Sequence, residues 1–194
     1  MFLPRELILI RHAEPDHGGT LCGRTDVGLT EAGRADVAWV SVLMPQGVSV
    51  ISSPAARCRL TAEGLFPKAT ILEDARLWEQ DFGACEGQAF GDLPDFGDLD
   101  RDALAANPWP KGESFDDMYH RAMPALQSAA EVAAGGDGPV VVVAHAGIVR
   151  VGLSMALGVR SAGLTFQVPP LSFTRLQCLP KGQFAIGAVS WLPT

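Results

Sequence analysis

Arg11 and His12 stand side by side, directly after the uncharged run Leu-Ile-Leu-Ile at 7–10. A guanidinium grips a phosphate-like oxyanion through two parallel N–H donors. A neutral imidazole beside it can serve as a nucleophile. Taken alone, the pair could equally be solvating a strand end, because two-residue motifs match often by chance. Two further stretches repeat the pattern. Ser-Ser-Pro at 52–54 follows the run 48–51 and leads to Arg57, and His145 follows the valine-rich run 140–144. These strand ends gather two imidazoles and two guanidiniums with no carboxylate among them, a like-charge crowding that a phosphate dianion would relieve. Arg59 competes with Arg57, but it lies about 200° further round a helix and cannot share the same pocket. A metal centre built from His12, His17 and His145 with Asp16 or Glu14 lacks the spacing of two histidines on one helix face. The adjacent arginines would also repel the cation. The expected site therefore holds neither metal nor cofactor.

These residues need elements that bring them to one place. Runs 7–10 and 140–144 are continuous and apolar, and 48–51 is apolar but for Ser49, as in strands buried in a parallel sheet. Right-handed helical crossovers put the carboxyl ends of such strands on one edge, where ligands bind in open α/β sheets. The connecting helices are expected at 31–43, 55–64, 115–134 and 148–157. Thr30 suits the N-cap of the first, whose inner face would be Ala35, Ala38, Trp39 and Val42. Pro54 suits the opening of the second, putting Arg57 in its first turn against the helix dipole, which an anion in front would offset. Ser114 can cap the third, and Pro124 should kink it. A weak strand at 69–72 and a hairpin formed by 171–179 and 184–191 around Pro-Lys-Gly-Gln complete the sheet. His17 is expected near the pocket mouth and His120 on an exposed helix face.

The fold class expected is α/β: three layers, α/β/α, around a central, mostly parallel sheet with a C-terminal β-hairpin. At 194 residues the chain is expected to form one domain, 1–194. Residues 84–113 lack periodicity and are a candidate lid. With 22 acidic and 15 basic residues the net charge is −7, which disfavours nucleic acid and anionic membrane surfaces as partners. No apolar stretch approaches the roughly 20 residues of a membrane span, and residues 1–10 do not read as a secretory leader. Four widely spaced cysteines fit reduced thiols, so the expected compartment is the cytoplasm. Homodimerisation is left open.

The chain resembles the histidine phosphatase (phosphoglycerate mutase-like) superfamily. The matching stretches are Leu-Ile-Arg-His-Ala-Glu at 9–14, Gly-Arg-Thr-Asp-Val-Gly-Leu-Thr-Glu-Ala-Gly at 23–33, and Ser-Ser-Pro-Ala-Ala-Arg-Cys-Arg-Leu-Thr-Ala-Glu at 52–63. They continue with Glu-Gln-Asp-Phe-Gly-Ala-Cys-Glu-Gly at 79–87, Gly-Glu-Ser at 112–114 and Val-Ala-His-Ala-Gly at 143–147. The resemblance implies His12 as nucleophile, passing through a phosphohistidine. It implies Arg11, Arg57 and His145 around the phosphoryl oxygens, and Glu79 as proton donor and acceptor. Gly18, Gly23, Arg24 and Ala146 would contact substrate. Ala13 and Ala146 stand where the family usually has Gly, each adding a methyl beside the pocket. The arginines are expected to keep His12 neutral.

A small phosphate monoester is the expected substrate, with hydrolysis the reaction. Residues 84–110 hold Glu86, Asp92, Asp95, Asp98, Asp100 and Asp102 against Arg101 alone, an acidic field that should repel the polyanions a mutase handles. Trp78, Phe90, Phe96 and Trp109 could instead face a ring. Within the family the chain is most similar to α-ribazole phosphatases of the cobalamin pathway. The alternatives are phosphoglycerate mutase-type transfer and a non-catalytic phospho-ligand sensor.

Overall fold

Strand β1 (Glu6–Arg11) carries leucine and isoleucine on alternate faces, and both faces are buried. The computed structural model describes residues 2–193. Parallel neighbours flank β1 on one side: β4 (Val140–Ala144), then β2 (Ser49–Ser52), then β3 (Ile71–Glu73). On its other side β5 (Phe173–Leu179) runs antiparallel to β1, and β6 (Gln183–Trp191) antiparallel to β5, giving the order β3-β2-β4-β1-β5-β6. The expected mostly parallel sheet and C-terminal hairpin are both present. Register places Arg11 beside Ala144, and Ser52 beside Val143, so the three chemistry-bearing strands end level with one another.

The alternation of side chains sorts the core into two layers. Ile8, Ile10, Val141 and Val143 pack with helices α1 (Glu31–Ser41) and α2 (Ala56–Leu65). Leu7, Leu9, Val140 and Val142 pack with α4 (Phe115–Gly135) and α5 (Ala146–Leu157). A short helix, α3 (Arg101–Ala106), lies within 84–113.

Local sequence explains most boundaries. Thr30 caps α1 as expected, its hydroxyl accepting from Gly33 N at 3.0 Å. Ser114 and Asp117 form a reciprocal capping box at the start of α4. Helix α2 begins at Ala56, two residues beyond Pro54, because the Asp26 carboxylate accepts the Ala56 N–H at 2.7 Å and caps it from a distant loop. Helix α4 runs through Pro124 as one continuous span. The carbonyl that loses its partner there belongs to His120, on the exposed face where water can replace it. The inner face of α1 differs from expectation. Gly33, Val37 and Val40 face inward, whereas Ala35 and Ala38 are exposed, Trp39 is 53% exposed and Val42 77%. Both stripes satisfy helical spacing, and tertiary packing decides between them. Helix α2 presents Gly64 directly beneath Val37, where a β-carbon would overlap the valine.

Val37→Ala should therefore cost about 2 kcal/mol, while Trp39→Ala should stay within about 0.5 kcal/mol. Urea unfolding of the two variants checks this, and the reverse ranking would restore the Trp39 face.

Candidate active site

His12 follows β1 and is buried, with its backbone N–H donating to Ala144 O at 2.9 Å. Its Nδ1 lies 2.7 Å from Ala13 O. A carbonyl only accepts, so Nδ1 carries the ring proton and Nε2 keeps its lone pair. Nε2 has no partner among the described residues. The His145 ring lies 5.3 Å away at 71° to it, and His145 is completely buried. Ser53, at the end of β2, holds His145 Nε2 through its hydroxyl at 2.8 Å, and the Cys58 thiol lies 3.5 Å from the same nitrogen. Trp78 stacks on His145 from outside, with rings 10° from parallel and centroids 6.4 Å apart.

The two guanidiniums reach the same edge by different routes. Arg57, only 1% exposed, donates through Nη1 to Thr25 O at 3.1 Å, and through Nη2 to Gly23 O at 2.7 Å and Cys22 O at 3.4 Å. Arg11 donates through Nη1 to Val168 O at 2.6 Å, and its buried Nε has no acceptor among the described residues. Arg59 points away toward Glu73 at 3.9 Å. Thr61 ties the α2 wall to the nucleophile's loop, accepting from Ala13 N at 3.0 Å and donating to Arg57 O at 2.7 Å.

Glu79 closes the ring of groups. Its carboxylate accepts from Gly147 N at 3.2 Å, at the start of α5, and from Gln80 N at 3.0 Å. A β-carbon at Gly147 would overlap that carboxylate and the Met118 thioether, so a side chain there would displace Glu79 from its present position. Of the other expected contact residues, Ala146 is the first residue of α5 and is half-buried. Gly23 contributes its carbonyl to Arg57. Arg24 sits one layer out, its guanidinium 5.8 Å above the Trp78 ring and 3.6 Å from Glu113. Gly18 lies in an exposed turn at φ +57°, beside His17, whose ring meets Phe90 edge-on at 5.2 Å. The Ala13 methyl joins the core under α1 and α2 instead of adding to the pocket. Ser53 and Thr61 lie inside the matched motif, but nothing in residue type alone separates them from the other small polar residues around α2.

Burial is the main electrostatic force on both rings. It pushes His12 down to about 3, and Arg57 and Arg11 push the same way more weakly. Desolvation likewise holds His145 well below the ordinary range, again with smaller contributions from the arginines. The expectation that guanidiniums keep His12 neutral has the right direction but names the lesser cause. Burial also lowers Arg11, as do Arg150 and Arg57, while Glu79 opposes them. Such crowding of cations around two neutral rings suits an incoming dianion.

Below about pH 6.5 the unfolded chain binds protons that the folded histidines refuse, so stability falls with pH from there down to about 3 for His12. At about pH 5 the His12 contribution is about 2 kcal/mol. Urea titrations between pH 7 and 5 should show this slope, and His12→Asn should reduce it, the buried His145 keeping the remainder. An unchanged slope in the variant would mean that His12 is not kept neutral by burial.

A family model described as the histidine phosphatase superfamily (branch 1) matches residues 7–189. A bifunctional protein of Mycobacterium tuberculosis is 30% identical over 178 residues, covering 83% of this chain but 46% of that protein, so the chain spans about half the length of that relative. A glucosyl-3-phosphoglycerate phosphatase of the same organism is 32% identical over 174 residues, covering 79% of this chain and 75% of the relative. Among solved structures, a candidate α-ribazole-5'-P phosphatase from Escherichia coli superposes with a TM-score of 0.82 at 19% identity, covering 96% of each chain. Order of motifs, fold and family model agree, and the chain belongs to the histidine phosphatase superfamily.

Proposed function

We propose that the protein is a phosphomonoesterase that works through a phosphohistidine on His12. The observation that carries this reading is the buried, neutral His12 ring. Its Nδ1 is tied to Ala13 O, and its free Nε2 sits among His145, Arg11 and Arg57. The Nε2 lone pair attacks phosphorus as the ester P–O bond breaks. Glu79, as the carboxylic acid, gives its proton to the leaving oxygen. Water then attacks the phosphohistidine while the Glu79 carboxylate takes the water proton, and the N–P electron pair returns to Nε2. Arg11, Arg57 and the N–H groups opening α5 spread the equatorial charge in each step. Guanidiniums stand where many phosphoryl-transfer enzymes use a divalent metal.

A cleft of about 410 Å³ opens beside Glu79 and Gly147, where the leaving group would lie. Its far wall is Leu93, Pro94, Phe96, Leu104 and Trp109, with Phe82 beneath them. Of the four aromatics considered from sequence, only Phe96 and Trp109 line this cleft, because Trp78 stacks on His145 and Phe90 packs on His17. The acidic residues of 84–113 do not line it either. Asp100 caps α3, Asp95 accepts from Gly97 N, and Asp102 bonds Ser161. An apolar wall, more than a repelling field, therefore favours an uncharged leaving group with a ring, and α-ribazole 5'-phosphate fits that description. Residues 84–113 act as the lid over it.

A second reading rests on Arg150, which lines the same cleft and, among the described residues, donates through Nε alone, to Phe166 O at 3.1 Å. Its remaining donors could meet a carboxylate, as glucosyl-3-phosphoglycerate would present. A larger cavity of about 480 Å³ lies between α4 and the β5–β6 hairpin, and none of the site groups line it.

A steady-state screen of p-nitrophenyl phosphate, α-ribazole 5'-phosphate and glucosyl-3-phosphoglycerate separates these readings. His12→Ala should lose at least about 10³-fold in kcat on every ester, and excess chelator should leave the wild type active. Full turnover in His12→Ala would remove the phosphohistidine. A glucosyl-3-phosphoglycerate preference that Arg150→Ala abolishes would select the second reading.

A further inference from the structure

Arg57 owes its aim to a loop that has no regular secondary structure. Residues 22–25 accept its guanidinium through three carbonyls. On the opposite side, the N–H groups of Gly23, Arg24 and Thr25 converge on the Glu86 carboxylate at 3.1, 2.9 and 3.0 Å. The Thr25 hydroxyl joins at 2.7 Å and Phe82 N at 3.3 Å. Two peptide groups belong to both sets. The unit between Cys22 and Gly23 gives its N–H to Glu86 and its C=O to Arg57, as does the unit between Gly23 and Arg24. Each peptide dipole is therefore strung between an anion and a cation, with its positive end on the carboxylate and its negative end on the guanidinium. Charge at both ends strengthens such hydrogen bonds. A side chain at Gly23 would overlap Gln80 O and crowd Glu86, so the two peptides pass where only glycine fits.

We infer that Glu86 is a positioning residue for phosphoryl recognition, acting through these two peptides on Arg57. Resting on the phosphatase reading above, this gives the carboxylate a role that its place in an acidic lid does not suggest. Half-burial alone would raise the Glu86 pKa. The hydrogen bonds from Arg24, Thr25 and Phe82 outweigh that and hold it below the ordinary range, so the charge that orients the loop persists through neutral pH. Glutamine, with one acceptor oxygen and an added N–H₂ facing donors, cannot replace it. Without the carboxylate the loop carbonyls lose their anchor, and the Arg57 fork turns from the anion.

The test is a double-mutant cycle of Glu86→Gln and Arg57→Ala, read as inorganic phosphate affinity by calorimetry and as KM and kcat for p-nitrophenyl phosphate. Glu86→Gln should weaken phosphate binding about tenfold in the wild-type background and less than about twofold in Arg57→Ala. Glu86→Asp, which keeps the charge, should recover part of the loss and carries the same cycle if the glutamine variant does not fold. Equal losses in both backgrounds, or wild-type affinity in Glu86→Gln, would overturn the inference while leaving the phosphatase intact. A wild type that neither binds phosphate nor hydrolyses the ester would overturn both.

Discussion

Desolvation is the constraint on which the rest depends. Three parallel strands end level at one sheet edge, and the helices that follow bury what those ends carry. Two imidazoles are thereby kept uncharged and two guanidiniums are crowded beside them. Unpaired polar groups in such a place are costly, and each ring and guanidinium keeps at least one partner, although Arg11 Nε has none among the described residues. Ser53 holds His145, Ala13 O holds His12, Val168 O holds Arg11, and the 22–25 carbonyls hold Arg57. Glu79 is the carboxylate beside this cluster, and its charge opposes the lowering of Arg11.

Support for that edge comes from residues far apart in the chain. Asp26 caps the helix that carries Arg57, and Thr61 on that helix meets Ala13 beside the nucleophile. Arg121 on α4 donates to Trp78 O and Glu79 O and pairs with Glu113, anchoring the segment that presents Glu79 and Trp78. Glu113 also attracts Arg24, which covers Trp78, which in turn covers His145. The site is thus braced by contacts from two helices, α2 and α4, and from the loops they hold.

Legibility from sequence followed the strength of the local signal. The strands ending in Arg11 and His145 were readable because long apolar runs stop abruptly at a charged or titratable residue. Helical angle showed that Arg57 and Arg59 cannot share a pocket, and the first-turn position of Arg57 against the helix dipole favoured it of the two. The inner face of α1 was not, because two stripes satisfy the same period and Gly64 on another helix breaks the tie. Nor were the roles of the carboxylates in 84–113, since an Asp that caps a helix and an Asp facing solvent look alike in a string of letters. Pairings such as Glu86 with residues 23–25 join positions about sixty apart, and no local pattern announces them.

The central claim, that Nε2 of His12 carries phosphorus, is tested most directly by its regiochemistry. A turnover reaction quenched in base and examined by ³¹P NMR of the peptide containing His12 should show phosphohistidine substituted at Nε2, because Nδ1 is occupied by Ala13 O. Phosphorus on Nδ1, on another residue, or on no residue while ester is being hydrolysed would contradict the account.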